Sequence, residues 1–326
     1  MTVFLIRRLV ALVPVLVGVS TIVFAFLHLT PGDPAQLMLG DSASRESVEL
    51  LRAELGLDKP LYVQYGVFLA NLARGDLGRS ITQRQPVIRL IGIRLPATVE
   101  LASVAILIAL VIGISIGVLA ALNQNTVIDY LASVLSVLGM SVPVFYLGLL
   151  LILTFGLNLG WFPVSGRSTP LLPTLFEFLS GRPQPLLDAL RHIFLPALTL
   201  GLTFSALIAR MTRATMLEVL QQDYVRTARA KGLGPRLVVF KHAFRNASIP
   251  LLTVIGLQFS ALLGGSVLTE TVFAWPGLGR LAVNAIFERD FPLVQGTVLT
   301  VALVFVVINL LIDVTYGLID PRVTYS

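Results

Sequence analysis

The sequence predicts an all-α membrane protein with six transmembrane helices and both termini in the cytoplasm. Three observations carry that reading. Hydrophobic residues make up 56% of the chain and charged residues only 13%, against about 25% charged in soluble domains. Uncharged apolar runs near the roughly 20 residues that cross ~30 Å of hydrocarbon recur along the chain. Backbone groups in lipid must find partners within their own segment, so such runs are helices rather than open strands.

Span one covers residues 9–29. Its nineteen uncharged residues from Leu9 to Leu27 exceed the ~7–15-residue core of a cleaved signal, and "TPGDP" follows instead of a small-residue cleavage site. Residues 30–96 form a large external subdomain. Within it "SASRESVELLRAELGL" reads as a helix capped by Ser44 or Ser47, with Leu50, Leu51, Leu55 and Leu57 on its apolar side. "KPLYVQYGVFLANLARGDLG" reads as a second helix, from near Pro60 to about Gly75. Tyr62, Tyr65 and Phe68 on it suit a membrane surface. A packed cover over the mouth of the spans and a contact surface for an external protein both remain open.

Span two is 97–122, followed by the short connection "NQNTVID". Span three is 130–157, and "LGWFPVSG" marks an aromatic interface anchor and a turn at its end. The Pro- and Gly-rich chain from Asn158 to His192 reads as irregular and external. Span four is 193–212, residues 213–246 form a cytoplasmic loop, and span five is 247–269. Residues 270–290 are an external amphipathic segment bent at Trp275 and Pro276, and span six is 291–318. All of 1–326 is thus one transmembrane domain.

Sidedness follows from the basic residues. Arg7 and Arg8 precede span one, which places the N-terminus inside by the positive-inside rule. Parity then puts Arg210–Asn246 inside as well. That stretch holds eight Lys and Arg against Glu218 and Asp223 alone. Residues 30–96 also hold eight, but seven acids offset them. The net charge of +6 is therefore explained by topology, and no nucleic-acid partner is expected.

The cytoplasmic loop is patterned. "TRATMLEVLQQDYVRTARAKG" has strong helix formers up to Gly232, which fits a C′ position. Pro235 suits the first turn of a restarted helix. Tyr224, Ala228 and Lys231 share one face of the first helix, and Arg226, Arg229 and Ala230 lie on others. Thr227, Ala228 and Ala230 are small enough to admit a partner surface close to the backbone. On residues alone, partner docking, lipid headgroup contact and simple topology determination all stand.

The wording "DYVRTARAKGL…HAFRNASIPLLTVIGLQ" closely resembles the cytoplasmic motif of the dipeptide/oligopeptide/nickel group of ABC importer permeases, the inner-membrane components of binding-protein-dependent transport. "RRL" at 7–9, "PGDP" at 31–34, "LGLDKPLYVQY" at 55–65, "GDLGRS" at 75–80, "ETVFAWPGLGRL" at 270–281 and "DPR" at 320–322 agree with it. The resemblance implies the ABC type I importer permease fold, in the bacterial cytoplasmic membrane, moving short peptides. It implies a second homologous permease, two ATP-binding subunits, an external solute-binding protein and surrounding lipid as partners. Tyr224, Arg226, Thr227, Ala228, Arg229, Ala230, Lys231 and Gly232 would then couple to an ATP-binding subunit, with His242, Arg245 and Asn246 supporting the loop. The general importer motif reads Glu-Ala-Ala, three residues, Gly; here Arg226-Thr227-Ala228 precedes Gly232, so a base replaces the acid.

The chain has no Gly-Lys dipeptide and hence no G-x-x-x-x-G-K-[ST] phosphate loop, so ATP and Mg²⁺ are expected on partner subunits and no cofactor on this one. No His-Glu-x-x-His or Gly-x-Ser-x-Gly is present, and there is no cysteine for a disulfide or thiolate site. His28, His192 and His242 are far apart in sequence and read as hydrogen-bonding groups. No catalytic or metal site is expected. Few ionisable residues fall inside spans: Glu100 and Asp313 lie at span ends, while Gln258 and Asn309 suit either the lining of a pathway or interhelical hydrogen bonds. An ion-coupled secondary transporter, the alternative reading, would show a more central acid or broken helices.

Overall fold

A computed structural model describes residues 2–29, 34–39, 44–54 and 56–319. "DPR" at 320–322, most of "PGDP" and Leu55 lie outside those residues, as do the side chains of Arg7, Arg8, His28, Leu51 and Asp313. Every regular element among the described residues is helical, apart from one isolated β-bridge between Arg79 and Pro86. Two compact units are distinguishable: residues 1–96 with 277–306, and residues 97–276 with 307–326.

In the first unit α1 (Thr2–Leu29), α2 (Pro34–Leu39), α3 (Arg45–Glu54) and α4 (Leu61–Ala73) precede the start of α5 (Val87–Leu122). Ser44 caps α3, its Oγ accepting the Ser47 N–H at 3.2 Å. On α4, Tyr65 and Phe68 turn toward α1: their ring centroids lie 5.2 and 5.7 Å from that of Phe24. Tyr65 Oη also shares a hydrogen bond with Thr21 Oγ1 at 2.6 Å. The expectation that all three aromatics face a membrane surface is corrected: only Tyr62 is strongly exposed. The unit's core is Val87, Leu90, Ile91, Leu278, Leu281, Ala285 and Leu293.

The second unit contains most of α5, then α6 (Val127–Ser141), α7 (Val144–Leu151) and a π-helical stretch at Ile152–Asn158. Residues 130–157 are not one straight helix. A 102° bend separates Val127–Ser141 from Val144–Asn158. Pro143 causes it: the residue before proline is driven from the helical region, and Val142 is extended at φ −77°, ψ 124°. The chain from Asn158 to His192 is also more ordered than expected. It holds α8 (Leu171–Leu179) and the start of α9 (Gln184–Leu220). The prolines at 170, 173 and 185 sit before or within first turns, where no backbone N–H is needed.

α9 runs through Pro196, Arg210 and Arg213, so the cytoplasmic segment predicted from residue 213 begins as helix. It is followed by α10 (Asp223–Ala230), α11 (Pro235–Leu237), a second π-helical stretch at Val238–Phe244, and α12 (Arg245–Gly265). α13 (Val267–Val272), α14 (Leu278–Phe287) and α15 (Phe291–Ile319) complete the chain. Among the described residues three helices are long and apolar enough to cross a membrane, or five if each bent pair is one span. Within α1 the described apolar stretch is Val13–Ala25.

α5 and α9 meet backbone to backbone. A Cβ placed on Gly117 would lie 2.5 Å from Thr212 Cβ and 2.6 Å from Ala209 O. At Gly113 it would lie 2.8 Å from both Ile208 Cβ and Ser205 O. These two glycines, in "GISIG", form the small-xxx-small spacing by which membrane helices approach closely. Replacing Gly117 with Val forces α5 off α9, with an expected cost of about 1–3 kcal/mol. Gly92, with nothing within 4 Å of its added Cβ, gains about 1 kcal/mol as Ala through helix propensity. Thermal unfolding of the two purified variants checks the contrast.

Candidate functional site

The basic segment is built from α10 and the turn after it. Gln222 is extended and Asp223 lies in the first turn, where a carboxylate complements the helix dipole. Val225 and Ala228 point inward against Val238, flanked by Val219, Leu220 and Leu233. The helix ends in a Schellman motif. Gly232 N–H donates to Arg229 O at 2.9 Å and Leu233 N–H to Ala228 O at 3.4 Å. Gly232 takes φ +76°, which glycine adopts without strain, and Leu233 supplies the apolar contact that accompanies this cap.

Tyr224, Arg226, Thr227, Arg229, Ala230, Lys231 and Gly232 are all exposed. Ala228 is not, being 6% exposed beneath them. The predicted shared face of Tyr224, Ala228 and Lys231 is therefore corrected: the face through Ala228 is spent on Val238, and i, i+3 spacing with Val225 identifies it. Arg226 lies 3.6 Å from Asp223, with both side chains solvated, a pairing that adds little. Asn246 Nδ2 donates to Tyr224 Oη at 2.9 Å and to His242 O at 3.0 Å. Three predicted residues are thus joined, while Arg245 is exposed on the first turn of α12.

Sequence reasoning passed over the buried acids. Glu270 is fully buried on α13. Its Oε1 accepts hydrogen bonds from Thr98 Oγ1 at 2.8 Å and Ser266 Oγ at 3.0 Å. Trp275, also fully buried, donates its backbone N–H to Glu270 O and its indole N–H to Ala97 O, each at 2.8 Å. The Arg167 guanidinium lies 5.7 Å from the Trp275 ring centroid and pairs with Glu100. Glu100 in turn accepts the Leu171 N–H at 3.2 Å. The start of the second unit, the 166–171 stretch and the α13 turn are knit together by these contacts.

Two further carboxylates act in the same way. Asp129 receives both Nε and Nη2 of Arg213 and the Asn125 N–H. In the first unit Asp290 caps α15 through the Leu293 N–H and accepts from Ser80 and Thr82. The pairs are 84 and 210 residues apart, so no local spacing announces them. The motifs "GDLGRS" and "ETVFAWPGLGRL" contain Ser80 and Glu270, but Asp129, Arg213 and Asp290 lie in neither. Among the described residues no group of three or more His, Cys, Asp or Glu could hold a metal.

Long apolar helices, carboxylates committed to structural ties and one exposed basic helical stub define a multi-pass helical membrane subunit. Its residues 113–325 match the binding-protein-dependent transport system inner membrane component family, and residues 1–102 match that family's N-terminal region. The chain belongs to this family. It is 44% identical to the dipeptide transport system permease protein DppB of Alkalihalophilus pseudofirmus over 100% of both chains. It is 47% identical to the di/tripeptide permease protein DppB of Pseudomonas aeruginosa and 43% to the glutathione permease protein GsiC of Escherichia coli, over 99% of each chain. The inward-facing MetNI methionine ABC transporter shares the fold at TM-score 0.55 and 21% identity, over 72% of this chain and 97% of that one.

Membership makes the chain an inner-membrane transport permease and not an enzyme, and implies ATPase and binding-protein partners. An ion-coupled carrier is set aside on that ground. For the buried tie, Glu270→Ala deprives two hydroxyls of their acceptor and is expected to cost about 2–3 kcal/mol. Glu270→Gln keeps an oxygen acceptor and should lose less. The midpoint of thermal unfolding of the solubilised complex distinguishes the two.

Proposed function

We propose that this chain is one of two homologous permeases of an ABC importer for short peptides, glutathione included. The observation that carries this is full-length identity of 43–47% to permeases named for dipeptide, di/tripeptide and glutathione transport. In this reading six spans are supplied by α1, α5, the bent pair of α6 and α7, α9, α12 and α15, with both termini cytoplasmic. Residues 30–96, 158–192 and 270–290 lie outside, and 213–246 inside.

The stub from Tyr224 to Gly232 docks in a cleft on an ATP-binding subunit, and Asn246, bonded to Tyr224 and to the His242 carbonyl, braces it. Its exposed residues make the contact; Val225 and Ala228 hold it to the spans. ATP and Mg²⁺ act on those partner subunits. Closure of the ATPase pair pulls the stub and moves the spans between inward-open and outward-open states. The stroke needs only a difference in interaction free energy between the two states.

Two measurements test this. Replacing Arg226 and Arg229 together with Glu should weaken binding-protein-stimulated ATP hydrolysis by about tenfold or more, as interfacial arginines do when truncated, while the four-subunit complex still assembles. Unchanged stimulation would reject the coupling assignment. Because the chain has no cysteine, Arg236→Cys gives a single label site. It should react with an impermeant thiol reagent in inverted vesicles and not in intact spheroplasts.

A further inference from the structure

We propose that a cavity between α5, α6 and α9 binds an anionic phospholipid, with Arg210 and the outer edge of Arg213 holding its phosphate. The cavity has a volume of about 210 Å³. Ile116, Val137 and Met140 contribute apolar wall, and Ser133, Arg210 and Arg213 contribute polar groups.

The charge balance favours an anion. Asp129 is 4% exposed at its side chain and accepts two hydrogen bonds from Arg213 and one from the Asn125 N–H. It fixes Arg213, whose side chain is still 31% exposed, and its ion pair is with Arg213, not Arg210. Among the described residues no ion pair or hydrogen bond engages Arg210. The cavity therefore carries one uncompensated positive charge, one pre-oriented guanidinium and a serine hydroxyl. A phosphodiester matches all three, since arginine binds phosphate oxygens in fixed fork geometry.

The apolar walls select a lipid over a soluble phosphate. A free anion would leave the Ile116, Val137 and Met140 surface facing water. The outer side of α6 exposes Tyr130, Leu131, Val134 and Leu138, as suits contact with acyl chains in a family of inner-membrane components. Basic pockets between transmembrane helices on the cytoplasmic side take anionic headgroups. The leaflet rests on the orientation proposed above, which the Arg236→Cys label tests independently; lipid binding itself does not depend on it.

The test uses the assembled transporter in nanodiscs of phosphatidylcholine containing a minor fraction of phosphatidylglycerol, with retained lipid counted by native mass spectrometry. The wild type should retain phosphatidylglycerol preferentially, and Arg210→Gln should retain about fivefold less, the effect of one cation near an anionic surface. Arg210→Lys should keep most of the preference, and Arg236→Gln, outside the cavity, should keep all of it. Millimolar inorganic phosphate should not compete. Equal retention by wild type and Arg210→Gln overturns the proposal. Competition by inorganic phosphate also overturns it, in favour of a soluble-anion site. Ser133→Leu, which fills the cavity and keeps both arginines, should reduce retention as well; unchanged retention would place the lipid elsewhere.

Discussion

Within the second unit, the close approach of α5 to α9 through Gly113, Gly117 and Gly201 is the constraint on which other packing rests. Lipid tails are as apolar as leucine, so no hydrophobic drive pushes two spanning helices together, and backbone proximity and dispersion must do it. With α5 seated there, α6, α7, α8, α12 and α13 all pack on the remaining faces of α9. The C-terminal end of α9 supplies Met216 to a core with Val118, Val239 and Ala243. The basic stub is thereby anchored to the helix that organises the unit.

Polar side chains perform the fine positioning. Each buried carboxylate serves several donors at once: Glu270 receives two hydroxyls, Asp129 a bidentate arginine and a backbone N–H, and Asp290 hydroxyl and backbone groups. A buried charge without such partners would cost far more than it returns. Sharing one acceptor among segments distant in sequence also fixes their register, which apolar contacts alone do loosely. Ala274, at φ +49°, lies in a backbone region uncommon for side-chain-bearing residues. It is held there between Phe273 and Trp275, both fully buried.

Much of the helical content was legible because hydropathy reports it directly. α15 starts at the predicted residue, and α4 begins after Pro60 and ends before Gly75 as its punctuation indicates. The Gly232 turn was legible for the same reason: glycine and proline signal through the backbone. The helix formers from Thr212 to Lys231 read as unbroken up to Gly232, yet α9 ends at Leu220 and the chain turns through Gln221 and an extended Gln222 before α10. No glycine or proline announces that break, so the residues themselves give no sign of it. The break at Val142 was legible in principle from Pro143 but was overridden by unbroken hydrophobicity. The buried carboxylates were not legible, because their partners lie in remote segments that only the fold brings together.

The Schellman turn at Gly232 has a consequence for how this segment can vary over generations. Its two ends are pinned, by Val225 and Ala228 on Val238 and by the restart at Pro235. Inserting or deleting one residue inside the eight-residue helix would rotate one end against the other by about 100° and carry a buried side chain into water. Substitution at Arg226, Thr227, Arg229 or Lys231 disturbs nothing beneath. The fold therefore leaves the segment's surface charge unconstrained and binds its length; in the docking role proposed above, its chemistry could follow a diverging partner while its reach stays constant.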